Sequence, residues 1–154
     1  MPKPVTLDAA QQFIGQEVGC SEWLEITQQR VNQFAEATGD FQFIHIDQER
    51  ARQETPFGGT IAHGFLTLSL LSMLGAEAGT IKIEGISISI NYGLDKVRFL
   101  NPVRVGKRIR ARFELLSAIE KNPGQYLLKH RATVDIEGED KPALIAEWLG
   151  MGVV

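Results

Sequence analysis

The sequence predicts an α+β fold, one antiparallel sheet of about five to six strands wrapped around a central apolar helix. Three observations lead there. The first half of the chain follows helical spacing, and the second half alternates with period two. Between them, Gly64 to Gly75 is apolar nearly all round; it is shorter than the ~20 residues a bilayer demands and reads as a buried helix. The strands of the second half follow one another through hairpin-like links, whereas a parallel βαβ sheet would interleave strands with helices.

Taken in order, Thr6 caps a short helix to about Ile14, and Val18 to Ile26 is extended. Thr27 is an N-cap; Val31, Phe34, Ala35 and Thr38 follow helical spacing behind it, and Gly39 sits where a C′ glycine belongs. A loop runs from Asp40 to Ile46, after which Asp47 caps a short polar helix through about Gln53. Pro56-Phe57-Gly58-Gly59 is a turn cluster. Thr60 caps the apolar helix, which continues to about Ala78. Ile81 and Ile83 then alternate, Ile86, Ile88 and Ile90 alternate in the opposite phase, and Gly85 at the slip suggests a bulge. Val97 to Leu100 makes a short strand before Pro102. Ile109, Ala111, Phe113 and Leu115 define one half-buried strand; Tyr126, Leu128, His130, Ala132, Val134 and Ile136 define the next. Lys121-Asn122-Pro123-Gly124 turns between them, and Ala143 to Val153 is a last apolar strand.

With 154 residues the chain is expected to form a single domain, residues 1–154. Sixteen basic against nineteen acidic residues give a net charge of −3, a poor basis for nonspecific nucleic-acid binding, which depends on phosphate neutralisation. The single cysteine, Cys20, excludes a disulfide scaffold and a thiolate metal cage. Met1 to Asp8 lacks the apolar core of a signal peptide, so the cytoplasm is the expected compartment, with no membrane partner. Charge is uneven: Lys96, Arg98, Arg104, Lys107, Arg108, Arg110 and Arg112 fall in one stretch without an acid. That run is either a solvated strand face or a rim for a phosphate-bearing small molecule.

Few side chains suit catalysis. There is no G-x-S-x-G and no P-loop, and Gly58-Gly59 reads as a tight turn. A metal would need His45, His63 and acids such as Asp40 or Asp47 to converge, and no H-x-x-x-H or H-E-x-x-H spacing supports it, so no metal and no cofactor are expected. His130, on an apolar strand face, reads as a packed core histidine. His63 stands in the first turn of the apolar helix, where its ring can donate to a nearby carbonyl. Asp40 and His45 share one loop. Asp40 closes the preceding helix and His45 fills a gap, or the two form an acid–base pair sharing one water.

At these residues the chain resembles the (R)-specific enoyl-CoA hydratases, the MaoC-like dehydratases of the hot-dog fold. The run from Phe34 through Gly39-Asp40 to Ile44-His45, with Ala51 six positions on, is similar to their G-D-x-N-P-[ILV]-H signature. Thr60-Ile-Ala-His63-Gly64-Phe resembles their entry into the hot-dog helix. Asn91 to Phe99 and Pro102-Val-Arg-Val-Gly106 are similar to the NodN-like branch. Two positions depart from the pattern. Gln42 stands where many members have Asn, keeping an amide one methylene longer, and Phe43 replaces Pro, which removes a fixed φ.

The resemblance implies reversible hydration of a trans-2-enoyl-CoA to an (R)-3-hydroxyacyl-CoA. Asp40 and His45 would hold and activate the water, the Gly64 amide would receive charge on the thioester oxygen, and Gln42 and His63 would contact substrate or water. Lys96 or Arg98 would meet the CoA phosphates. A homodimer paired through its sheets is implied as well, since a lone sheet leaves open edges. Two rival readings remain: a hot-dog acyl-CoA thioesterase, and a non-catalytic acyl-CoA-binding module. Thioesterases of this fold generally carry a lone carboxylate on the central helix, where this chain has only Glu77, near the far end. The presence of both Asp40 and His45 argues against the non-catalytic reading.

Overall fold

The structure, a computed structural model, describes residues 2–154. Thr6 accepts from the Ala9 N–H and opens α1 (Leu7–Gln11), shorter than expected because residues 12 to 15 turn away. The extended stretch divides into β1 (Glu17–Cys20) and β2 (Leu24–Glu25). α2 (Gln28–Thr38) is bounded as expected. The Thr27 hydroxyl accepts from the Arg30 N–H, and Gly39 closes the helix at φ 80°, a left-handed conformation that glycine reaches without a Cβ clash. Val31 and Ala35 bury one face of it.

The Asp40–Ile46 segment is not wholly irregular. It contains a single helical turn, α3 (Phe43–Ile46), closed by the Asp47 N–H donating to the Phe43 carbonyl at 2.9 Å. Asp47 then caps α4 (Gln48–Glu54), accepting from the Arg50 N–H at 3.0 Å.

The central helix begins three residues later than expected, with its cap at His63 instead of Thr60. Ile61 is pinned in a bridge to Arg104, and the Thr60 hydroxyl turns towards glutamine side chains, so His63 occupies the N-cap position. Two segments follow, α5 (Gly64–Ser69) and α6 (Leu71–Ala78). Leu70 between them keeps right-handed helical dihedrals, and the bonds from Leu70 N to Leu66 O and from Leu74 N to Leu70 O run through the junction. They form one rod with a tightened turn. Its buried side carries Leu66, Leu70, Leu71 and Leu74; the opposite side leaves Phe65 67% and Met73 37% exposed, so the helix is covered on one side only.

Four long strands follow: β3 (Ile88–Phe99), β4 (Arg108–Asn122), β5 (Gln125–Ile136) and β6 (Leu144–Val153). The sheet is antiparallel in the order β1-β4-β5-β6-β3, with β2 also on β4. β3 absorbs the short strand expected at Val97–Leu100. Ile81 and Ile83 form no strand beyond a Val5–Ile83 bridge, and Gly85, at φ 81°, lies in a turn rather than a bulge. The real irregularities of β3 fall at Asn91/Gly93 and Asp95/Arg98.

The sheet curves around the rod because its inner row is cut low where the helix lies. Phe113 pairs with Ala132, and Ala132 with Ala146, so two small side chains adjoin one large one across three strands. Gly75 completes the fit: a Cβ there would come within 3.1 Å of Trp148. On the outer face the basic run resolves into ion pairs. Arg112 meets Asp135 at 2.7 Å, Arg110 lies 3.6 Å from the same carboxylate, and Arg108 pairs with Glu137. The β4 part of the run, Arg108, Arg110 and Arg112, is therefore a paired strand face whose acids come from β5 and the residue after it. Among the described residues no helix is long and apolar enough to cross a membrane.

Candidate active site

Asp40, His45 and His63 converge, with one side-chain ligand atom of each lying within 4.8 Å of the others. Each is delivered by a different local device. Asp40 follows the glycine that ends α2, and its carboxylate accepts from the Gln42 N–H at 3.3 Å, tightening the reversal. His45 rides on α3 and is buried. His63 caps α5 and is 2% exposed.

Hydrogen bonds settle how the rings are used. His45 Nδ1 lies 2.7 Å from the Ile61 carbonyl, which can only accept, so Nδ1 carries the proton and Nε2 is left as the basic nitrogen. By the same logic His63 Nε2 donates to the Asp40 carbonyl at 3.0 Å, as the sequence led one to expect of a ring near that helix start. His63 Nδ1 is buried without a protein partner. Burial pushes the His45 pKa below its ordinary value; the adjacent His63 adds to this, while the Ile61 carbonyl and Asp40 act in the opposite sense. His45 is thus a neutral base at pH 7. Two of the four ring nitrogens are already bonded to carbonyls, leaving one from each ring beside the Asp40 carboxylate as the set that could share a metal ion.

His45 forms part of the wall of a cavity of about 240 Å³, together with Gly64, Thr67, Phe99, Asn101 and Val103. Asp40 and Gln42 do not line it and are exposed beside it. Gly64 is the first residue of α5, where backbone N–H groups have no intrahelical acceptor. Glycine lets Phe99 pack closely there: a Cβ would approach its Cδ1 to 2.9 Å, so the ring would have to shift. Lys96 and Arg98 lie outside the wall. Lys96, at φ 49°, is 3.5 Å from Glu147, and Arg98 donates to the adjacent Val97 carbonyl.

A larger cavity, about 530 Å³, opens near the other end of the rod among Ser72, Ile83, Asn91, His130, Trp148 and Met151. His130 is a packed core histidine, as expected. It is 7% exposed, set edge-on to Phe113, and burial holds its pKa down at about 4. Gln28 and Gln48, whose side chains reach the Thr60 hydroxyl, carried no signal in the sequence. They act through contacts between residues far apart in the chain, and each stands at an ordinary helix or loop position.

Comparison with known proteins follows this geometry closely. The family described as "MaoC like domain" matches residues 9–135. The chain is 50% identical over 136 residues to nodulation protein N of Rhizobium leguminosarum bv. viciae, covering 88% of this chain and 84% of that one. It is 50% identical over 133 residues to 3-hydroxyacyl-thioester dehydratase Z of Mycobacterium tuberculosis, covering 86% of each. Among solved structures, the (R)-hydratase from A. caviae involved in PHA biosynthesis superposes with a TM-score of 0.69 at 27% identity, over 88% of this chain and 96% of that one. The family model spans most of the chain, the sheet wraps a central helix in the hot-dog manner, and an Asp–His pair stands beside the helix entry: the chain belongs to the MaoC-like dehydratase family.

Proposed function

We propose that the protein is an (R)-specific enoyl-CoA hydratase, adding water reversibly to a trans-2-enoyl-CoA to give the (R)-3-hydroxyacyl-CoA. The observation that carries this reading is the His45 Nδ1 bond to the Ile61 carbonyl, which leaves Nε2 unbonded on a neutral, buried ring that forms part of the cavity wall, with the Asp40 carboxylate close by. Asp40 and His45 hold one water between them. Its oxygen adds to C3, and a proton goes to C2. Negative charge developing on the thioester oxygen is received by the Gly64 N–H at the positive end of the rod. Gln42, whose side chain caps nothing and lies exposed next to Asp40, contacts substrate or water. His63 contributes by stacking on His45, and Lys96 and Arg98, on the strand that ends at Phe99, meet the CoA phosphates.

Glu77 weighs against the thioesterase reading. It is exposed at the end of α6, at the opposite end of the rod from the Asp40–His45 pair.

We also propose a homodimer built on β3. This strand ends the sheet with Ile88, Ile90, Tyr92 and Leu94 between 42% and 56% exposed, an open apolar edge that a second copy would cover. One polypeptide domain spanning residues 1–154 and a cytoplasmic setting complete the reading.

The test follows crotonyl-CoA with purified protein. Loss of enoyl absorbance without release of free thiol is expected, and the product should be oxidised only by a dehydrogenase specific for the (R)-3-hydroxyacyl isomer. Thiol release matching or exceeding absorbance loss would overturn the hydratase reading. An (S) product would overturn the stereochemical part.

A further inference from the structure

α3 is one turn long, and a helix that short cannot hold its own peptide planes in place. Two of its four carbonyls are satisfied from elsewhere in the fold. The Ile44 carbonyl accepts from the Ile61 N–H at 3.0 Å, and the His45 carbonyl accepts from Gln28 Nε2 at 2.7 Å, across 17 residues of chain. His45 is therefore gripped twice, through its ring by Ile61 and through its backbone by the first residue of α2.

The orientation of the Gln28 amide is determined by counting hydrogens. One Nε2 hydrogen goes to the His45 carbonyl, the other to Asn32 Oδ1 at 2.9 Å. Its Oε1 must then accept, and the Thr60 hydroxyl lies 2.6 Å away. Thr60 is 2% exposed, so no bulk water competes for that bond. Its N–H donates to Gln48 Oε1 at 2.8 Å, and its hydroxyl is 2.7 Å from the same oxygen. A single hydroxyl proton thus stands between two amide oxygens, one from α2 and one from α4. Without it those oxygens face each other unscreened, and the least costly relief is rotation of the Gln28 amide, which withdraws the donor from His45.

We infer that Gln28 is a positioning residue for His45, held in its working orientation by the hydroxyl of Thr60. This rests on the hydratase reading for its kinetic consequence, but the placement of the imidazole can be read without turnover. Small displacements matter because a ~1 Å error in aligning a catalytic group can cost about a hundredfold in rate.

The experiment compares Gln28→Met, Gln28→Glu, Thr60→Val and Thr60→Ser in two measurements. The first is crotonyl-CoA kinetics beside thermal denaturation. The second is the ring-nitrogen NMR spectrum of His45, assigned by its loss in His45→Gln. In Gln28→Met, Gln28→Glu and Thr60→Val, kcat should fall on the order of tenfold with KM within about twofold, a partial loss of that alignment. The His45 ring signals should move in the same three variants. Thr60→Ser restores the hydroxyl and should restore both readouts. If Gln28→Met does not fold, the contrast between Thr60→Val and Thr60→Ser decides the question. Folded Gln28 variants with unchanged kcat and unmoved His45 signals overturn the inference, as does a fall in melting temperature alone. Absence of any hydration by the wild-type protein would instead overturn the hydratase reading, and the ring spectra would still decide the positioning role.

Discussion

The imidazole of His63 lies almost flat on that of His45, with ring centroids 3.8 Å apart and planes 22° from parallel. Phe34 closes the other side of His63 at 4.9 Å. The stack makes a second positive charge beside His45 unfavourable and so works with burial to keep the base unprotonated.

The acid–base pair is the first thing to test. Asp40→Asn and His45→Gln should each lower kcat by at least ~10²-fold, the usual scale for a positioned acid or base. Melting temperatures should stay close to wild type, since both changes nearly preserve shape. In the proposed mechanism the two groups act on one water, so the double variant should be little worse than the worse single variant. Wild-type turnover in either folded single variant would remove that residue from the mechanism.

The His45 environment fixes the sense of the pH profile. Its pKa lies below the ordinary 6.5, so the basic form persists to lower pH and kcat/KM should stay level through neutrality. The acid limb should be centred below pH 6.5. A limb centred at or above that value would contradict a buried neutral base.

Acid should also weaken the fold, chiefly through His130. Its pKa falls from 6.5 in the unfolded chain to about 4 in the folded protein, because burial disfavours the charged ring. The unfolded state therefore binds the extra proton between these values. The contribution of neutral His130 is complete above pH 6.5, declines as pH falls and is exhausted near pH 4, a loss of roughly 3 kcal/mol. His130→Leu should flatten the dependence of melting temperature on pH across this window. An unchanged slope would assign the acid sensitivity elsewhere.

Gly64→Ala places a Cβ within 2.9 Å of Phe99, a distance real contacts avoid. Phe99 is 49% exposed and can yield, so a moderate loss of stability and a larger loss of activity are expected as the cavity wall shifts. Adding Phe99→Ala should recover activity. Failure of that rescue would mean the methyl group itself obstructs the thioester.

Gln42 is one of two positions, with Phe43, where the Asp40–His45 turn departs from the signature it resembles. Gln42→Ala should raise KM or lower kcat modestly, and Gln42→Asn should be tolerated. Unchanged kinetics in both would show that the amide touches nothing in the reaction.

Periodicity and capping made much of this molecule legible. Thr27, Gly39 and Asp47 bound their helices where expected, and the alternation from Ile109 and from Tyr126 found β4 and β5, because each depends on neighbours in sequence. The errors came where distant residues intervene. Thr60 looks like a cap, but two glutamines from other helices compete for its hydroxyl. Gly85 sits at a change of phase that a turn explains as well as a bulge does. The helix looked apolar all round; its outer side keeps Phe65 and Met73 exposed, with only sparse contacts such as Phe99 against Phe65. In the site, Asp40, His45 and His63 were visible as residue types, whereas the proton assignment on His45 required the Ile61 carbonyl, 16 residues away.

β3 carries Phe99 to the wall of the cavity beside His45, and it also presents the open apolar edge of the sheet. Within the chain it is held from one side only, by β6, through a ladder interrupted twice. In the proposed dimer, mass action on that edge would reach the candidate pocket through Phe99. Where a second copy binds β3, the occupied edge stabilises the strand by an amount that grows with protein concentration. Specific activity should then fall on dilution in step with dissociation, and Ile90→Lys should produce the dilute-solution behaviour at every concentration.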